Sequence, residues 1–356
     1  MNAASDKKDI TKNTPFELGY HMPAEWERHD AVWLSWPYDT NAFPGRIQNV
    51  EKTFVSFIQG THKSEKVNLL VKNNNIKSRA LSFLKKAKID LNNVNFYNKD
   101  YADVWFRDYG PIFVVNRKQE KLAMVKWIFN AWGRKYIDLM RDDNVPSFIS
   151  EKMGLLCFKP EIVLEGGSIE VNGKGILLTT EQCLLNKNRN PLLTKSQIET
   201  YLRQYFGVSH IIWLKDGIEG DDTDGHIDDI ARFVSDKLVL CSYEHDKQDK
   251  NFKLLKKNYE ILRDYSDHYG KEFEVVKLPM PGFIGDKHSR LPASYANFYI
   301  GNKSVLVPFF NDKNDKNALG IIQNCFPNRE AVGIDCADLL YGLGTLHCIS
   351  QQQPSI

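Results

Sequence analysis

Short apolar runs alternate along the chain with stretches whose apolar side chains recur every three or four positions, the signatures of buried strands and amphipathic helices. Ala31 to Trp36 (AVWLSW) reads as a buried strand. Ile47, Val50, Phe54, Phe57 and Ile58 follow at helical spacing, and Val67 to Val71 (VNLLV) returns to strand. The next helix carries Ile76, Leu81 and Leu84. Further strands are predicted at Ile112 to Val115, Leu122 to Ile128, Gly175 to Thr180, His210 to Leu214, Lys237 to Tyr243 and Ser304 to Phe310, and helices at Ser196 to Phe206 and Lys250 to His268. Strand and helix return roughly every 60 to 70 residues, an α/β pattern that fits one doubly wound sheet or a ring of small repeated modules. No self-similar repeat chooses between them. Residues 1–15 read as a polar tail; beyond it no Pro/Gly/Ser-rich linker divides the chain, so one domain over 16–356 is predicted.

Composition narrows the partners. Hydrophobic residues make up 42% and charged residues 26%, which excludes a disordered or fibrous chain. Lys plus Arg (47) against Asp plus Glu (45) leaves +2, too little field to grip nucleic acid or an anionic membrane. The six cysteines are scattered without a CxxC pair, which argues against a disulfide scaffold or a cysteine-based zinc site. With no apolar signal segment and no long apolar run, a reducing, cytoplasmic location is expected.

Several chemical motifs fail on inspection. Gly342-Leu343-Gly344-Thr345-Leu346-His347 starts like a dinucleotide loop, but His347 stands in place of the third glycine and no crossover helix can follow. Gly166-Gly167-Ser168-Ile169-Glu170 lacks the last glycine of a nucleophile elbow. The acidic loop Glu219 to Asp229 has Gly220 and Ala231 where calcium ligands are required. HExxH and the phosphate-cradling GxxxxGK[ST] are absent.

Four clusters remain: Asp103 to Pro111 (DVWFRDYGP), Leu164 to Ser168, Asp224 to Asp228, and Gly344 to Cys348. Cys348 beside His347 at a loop-to-strand junction reads as a thiol nucleophile or as a buried core thiol. His226 and Asp228 would share one face of an extended segment, or belong to a solvated polar turn. Glu165 emerges at a strand end before two glycines that permit close backbone approach. Asp108 is a site carboxylate or the partner of Arg107, and Trp105 is core or substrate platform.

Taken together, and with MPAEWE (Met22 to Glu27), WLSWP (Trp33 to Pro37), FNAWGRKY (Phe129 to Tyr136), LEGGSIEVNG (Leu164 to Gly173), DDTDGHIDDIARF (Asp221 to Phe233), SYANF (Ser294 to Phe298) and HCISQQQP (His347 to Pro354), the chain resembles the agmatine deiminase group of the guanidine-modifying, pentein-fold enzymes over nearly its whole length. That resemblance implies a five-bladed α/β propeller of ββαβ-type modules around a central site. It implies hydrolysis of a guanidinium through a covalent adduct on Cys348, with His226 as acid and then base and Glu165 orienting it. Asp108 and Asp228 would flank the guanidinium, and Trp105 and Asn297 would complete substrate binding. The thiol route calls for no metal and no organic cofactor, and the partner implied is a small cationic guanidine, with a homodimer left open. The pattern is departed from in two places: the glycine run before the HC pair is broken by Leu343 and Thr345, and NAWG is followed by Arg134 instead of glycine. Competing readings are a deiminase of peptidyl-arginine, arginine or methylarginine, an amidinotransferase, and a non-catalytic guanidinium-binding protein.

Overall fold

The predicted strands do not join one sheet. In the computed structural model, which describes residues 13–265, 274–287 and 289–356, they fall into five small sheets packed with helices in a mixed α/β fold. The doubly wound alternative is thereby excluded. The polar tail lies outside the described residues up to residue 12, as does the predicted helix end at His268.

Four of the sheets repeat one arrangement. A short first strand pairs antiparallel with a central strand, and a helix then leads to a third strand parallel to the second. The sets are Ile112–Asn116, Lys121–Val125 and Leu156–Phe158; Glu170–Val171, Ile176–Thr180 and His210–Leu214; Ala231–Phe233, Leu238–Tyr243 and Glu274–Pro279; and Tyr299–Ile300, Ser304–Phe309 and Glu330–Asp335. In the remaining sheet the first strand comes from the other end of the chain: Ser350–Pro354 lies antiparallel to His29–Ser35, which is followed in parallel by Lys66–Val71 and Val94–Asn98.

Central strands such as Ile176–Thr180 are buried along their whole length because helices cover them, which is why they read as unbroken apolar runs. The helix Ile47–Thr61 buries Val50, Phe54, Phe57 and Ile58, the stripe its periodicity predicts. The helix Lys195–Phe206 starts on a Thr194/Gln197 capping box and stops at Gly207 in the left-handed region. Among the described residues no helix is long and apolar enough to cross a membrane.

The four reactive clusters and the SYANF block each sit directly before the first strand of a sheet. Asp108 precedes Ile112–Asn116, Gly166 and Gly167 precede Glu170–Val171, and His226 to Asp228 precede Ala231–Phe233. Asn297 precedes Tyr299–Ile300, and Cys348 precedes Ser350–Pro354. Equivalent ends of five similar units therefore carry the reactive side chains.

Candidate active site

A cavity of about 640 Å3 opens at the surface and reaches Cys348 and Asp108. Its apolar walls include Phe43, Trp105, Trp132 and Tyr341; its carboxylates are Asp39, Asp103, Asp108, Asp138 and Asp222. Lys135 also lines it, but its ammonium is already paired with Asp222 and with Asp224 at 3.0 Å. The cavity is thus built for a cation with an apolar body.

Asp108 stands on the one-turn helix Phe106–Tyr109 and does not pair with Arg107. Its Oδ1 accepts the Gly167 amide at 3.0 Å and its Oδ2 accepts the Trp132 indole N–H at 2.9 Å. Arg107 turns away to the His347 carbonyl, the Gln352 side chain and Glu25. Burial pushes the Asp108 carboxyl up to about 6, against the opposing pull of His226.

Residues His226 and Asp228 do not alternate on a strand. Ile227–Asp229 is a single 3-10 turn, so the face-sharing argument from extended backbone fails, and the two side chains meet for another reason. Asp221 accepts the amides of Thr223, Gly225 and His226, which curls the acidic loop inward. His226 Nδ1 then lies 3.6 Å from Asp108 Oδ1, and Asp228 Oδ2 lies 3.8 Å from Cys348 Sγ. His226, Asp228 and Glu165 are fully buried, one contact deeper than the cavity wall. Burial opposes charge on His226, but Asp108, Cys183 and Asp228 outweigh it and hold its pKa well above the ordinary histidine value.

Why Gly166 and Gly167 are glycines is now clear. A Cβ on Gly166 would stand 2.2 Å from the Arg107 carbonyl oxygen; one on Gly167 would stand 2.6 Å from His226 Nδ1, 2.8 Å from Asp108 Oδ1 and 3.1 Å from Asp228 Oδ2. Gly167→Ala is therefore expected to lower kcat/KM by about two orders of magnitude, the scale of an ångström-level misplacement. Steady-state kinetics beside a thermal melt checks this; unchanged kcat/KM in a folded variant would show that the three groups need not converge.

Cys348 leads into Ser350–Pro354 with its side chain at the cavity floor. Burial, then the carboxylates of Asp228, Asp229 and Asp108, push its thiol well above the ordinary value, so it rests protonated. Asn297 stands behind it and does not line the cavity: Nδ2 donates to Cys348 Sγ at 3.0 Å and to Asp229 Oδ1 at 3.1 Å, while Oδ1 accepts the Thr345 hydroxyl at 2.8 Å and the His347 amide at 3.0 Å. Asn297 therefore holds the loop that carries Cys348. Thr345 supplies part of that hold. Trp105 does line the cavity, packed so closely on the loop that a Cβ on Gly344 would stand 2.6 Å from its ring.

Glu165 Oε1 accepts Arg189 Nε at 2.7 Å, and its Oε2 has no hydrogen-bond partner. His347 faces the rear of the site, with Nδ1 2.7 Å from Asp228 Oδ2 and Nε2 2.8 Å from Glu25 Oε2. Burial opposes ionisation of Asp228, but His347 and then His226 outweigh it and hold the carboxyl below its ordinary value. Glu25 also accepts Arg232 Nη2 at 2.8 Å, which ties the N-terminal MPAEWE block into the floor.

Sequence reasoning did not single out Trp132. Ala131, Trp132, Gly133 and Arg134 all have positive φ (54, 53, 86 and 65°), a left-handed turn that costs on the order of 1 kcal/mol at each non-glycine residue. That turn aims the Trp132 indole at Asp108. Leu343 (φ 73°) is left-handed as well. Of the three departures from the glycine pattern, Arg134 and Leu343 therefore fall where glycine is conformationally favoured, whereas Thr345 does not take a positive φ.

The family model for Porphyromonas-type peptidyl-arginine deiminases matches residues 21–354, and the chain belongs to this family of pentein-fold, guanidine-modifying hydrolases. It is 37% identical to agmatine deiminase of Medicago truncatula over 380 residues, covering 97% of this chain and 99% of that one. The structure of Enterococcus faecalis agmatine deiminase superposes with a TM-score of 0.89 at 32% identity, covering 96% of this chain and 98% of the other. A cysteine-to-serine variant of C. jejuni agmatine deiminase with substrate bound gives 0.83 at 34% identity over 94% and 96% of the two chains.

Proposed function

We propose that this enzyme hydrolyses agmatine to N-carbamoylputrescine and ammonia through an adduct on Cys348. The observation that carries the reading is an acid-rich cavity ending at a buried thiol between Asp108 and Asp228. A guanidinium costs several kcal/mol to desolvate unless carboxylates meet its N–H groups, and these two are placed to do so. Its positive charge offsets the carboxylates that, with burial, hold the thiol protonated, so Cys348 ionises when the substrate enters and gives its proton to solvent.

The thiolate attacks the guanidinium carbon, and the C–N bond to one terminal nitrogen breaks as protonated His226 gives that nitrogen its proton. Ammonia leaves and an S-alkylthiouronium remains. His226, now neutral, takes a proton from water; hydroxide adds to the same carbon, the C–S bond breaks as the new hydroxyl gives its proton to solvent, and the ureido product departs from the regenerated thiolate. Glu165, held by Arg189, keeps a free carboxylate oxygen near His226 to balance its charge. Asn297 positions the thiol. The five sheets read best as blades of one ring, because four repeat the same strand order and the fifth joins both ends of the chain.

Agmatine is favoured over arginine by the outer cavity. Burial and Asp39 push Asp103 up to about 6, so these carboxylates gain from a distal ammonium, whereas an α-carboxylate would add to the repulsion. Purified protein given agmatine, arginine and an arginyl peptide should turn over arginine at least about a hundredfold less efficiently than agmatine, about 2.7 kcal/mol of transition-state binding. Comparable kcat/KM for arginine or the peptide would remove agmatine as the preferred substrate and leave the deimination chemistry standing.

A further inference from the structure

A thiol that the proposed reaction does not use stands beside the groups that it does. Cys183 lies in the short helix Glu181–Leu184, its amide capped by the Thr180 hydroxyl, and it is fully buried. Its Sγ, a Glu165 carboxylate oxygen and a His226 ring nitrogen lie within 4.8 Å of one another. Arg189 occupies only Glu165 Oε1 and leaves the buried Oε2 without a hydrogen-bond partner, while the fully buried His226 meets Asp108 at 3.6 Å and faces the Cys183 sulfur. An orphaned buried polar atom is costly, and here it belongs to a carboxylate that meets an imidazole and a sulfur. Thiolate, imidazole and carboxylate are ligands of zinc-class cations, which are often held by three protein ligands with the fourth position open.

We propose that Glu165, Cys183 and His226 form an inhibitory site for a zinc-class divalent cation. The inhibitory half rests on the reaction proposed above, since the metal occupies the imidazole assigned as acid and base; the binding half does not. Binding forms bonds from Sγ, the imidazole nitrogen and the carboxylate oxygen to the metal, releases the Cys183 thiol proton and the His226 proton to solvent, and changes no oxidation state. Drawing the donors to about 2.0–2.3 Å from one metal requires side-chain movements of about an ångström. Asp108 and Asp228, both facing His226, offset the added charge, with the Arg189 guanidinium on the far side of Glu165 as the opposing term. The cation acts here as an inhibitor, and the deimination itself does not call on it.

Cobalt(II) is the probe, because a thiolate ligand gives it a charge-transfer band that a nitrogen and oxygen site lacks. The band is expected in the unmutated enzyme and in Cys348→Ser, and is expected to vanish in Cys183→Ser and Cys183→Ala. Measured against its own uninhibited rate, Cys183→Ser should need about a hundredfold more zinc for half-inhibition, at the upper end of what loss of a metal-site partner costs. A band lost in Cys348→Ser and kept in Cys183→Ser would place the metal on the other thiol and overturn the proposal, as would no band in any form. Anomalous diffraction at the zinc edge from soaked, unmutated crystals decides the matter should the Cys183 variants not fold. A failure to turn over agmatine would sink the reaction above while leaving the cobalt band to judge this site.

Discussion

Replacing Cys348 by alanine should reduce ammonia release from agmatine to background while leaving the fold in place. The thiol is asked to form the bond that divides a difficult hydrolysis into two steps, and without it no other cysteine lines the cavity among the described residues. Cys183, the nearest alternative by function, is packed behind His226 and is closed off from the cavity wall. The structural cost is small because Sγ is approached by Asn297 Nδ2, which retains its bond to Asp229. Stability should therefore change by only about 1 kcal/mol, read from a thermal melt beside the rate measurement. A folded variant that keeps more than a few per cent of the wild-type rate contradicts the assignment.

His226→Ala should cost at least about two orders of magnitude in kcat/KM, the usual contribution of a general acid–base group. The pH profile identifies the role. Asp108 must be ionised to hold the cation, and its carboxyl is pushed up to about 6, so the wild-type kcat/KM falls as pH drops through about 6. His226 must start protonated to release ammonia, and its pKa is raised, so activity is retained above the ordinary histidine range and lost as pH rises through the elevated value. His226→Ala should lack that alkaline limb. His347→Ala should do less damage and act through substrate binding, because His347 braces Asp228 from the rear and does not line the cavity. Equal losses from the two variants at matched stability would transfer the proton-handling role.

Central strands and covering helices were legible in the sequence because both carry apolar patterns of useful length. Of the first strands only Ile112–Asn116 was; Glu170–Val171 and Tyr299–Ile300 have two residues each, too few for a period. Ser350–Pro354 was hidden for a different reason. Its sequence SQQQP is polar yet buried, because Gln353 accepts the Trp33 indole N–H and Gln352 accepts Arg107, a satisfaction that hydropathy does not register. The candidate site was legible through motifs more than through geometry. His226 and Asp228 were paired by an argument from strand alternation that the 3-10 turn removes, and the bond from Asn297 to the Cys348 sulfur had no sequence signal. Trp132 and Glu25 lay within quoted motifs, but only the left-handed turn and the buried Arg232 network give them work. What unites the four reactive clusters is positional: each precedes the first strand of a sheet, a regularity visible only once those short strands are known.

The most direct measurement is mass spectrometry of enzyme quenched in acid during turnover of agmatine, followed by digestion and sequencing of the modified peptide. The account predicts a transient species heavier by agmatine less ammonia, located on Cys348 and absent with product alone. An adduct on another cysteine, or full turnover with none detectable even when His226→Ala slows its hydrolysis, would contradict covalent catalysis by Cys348.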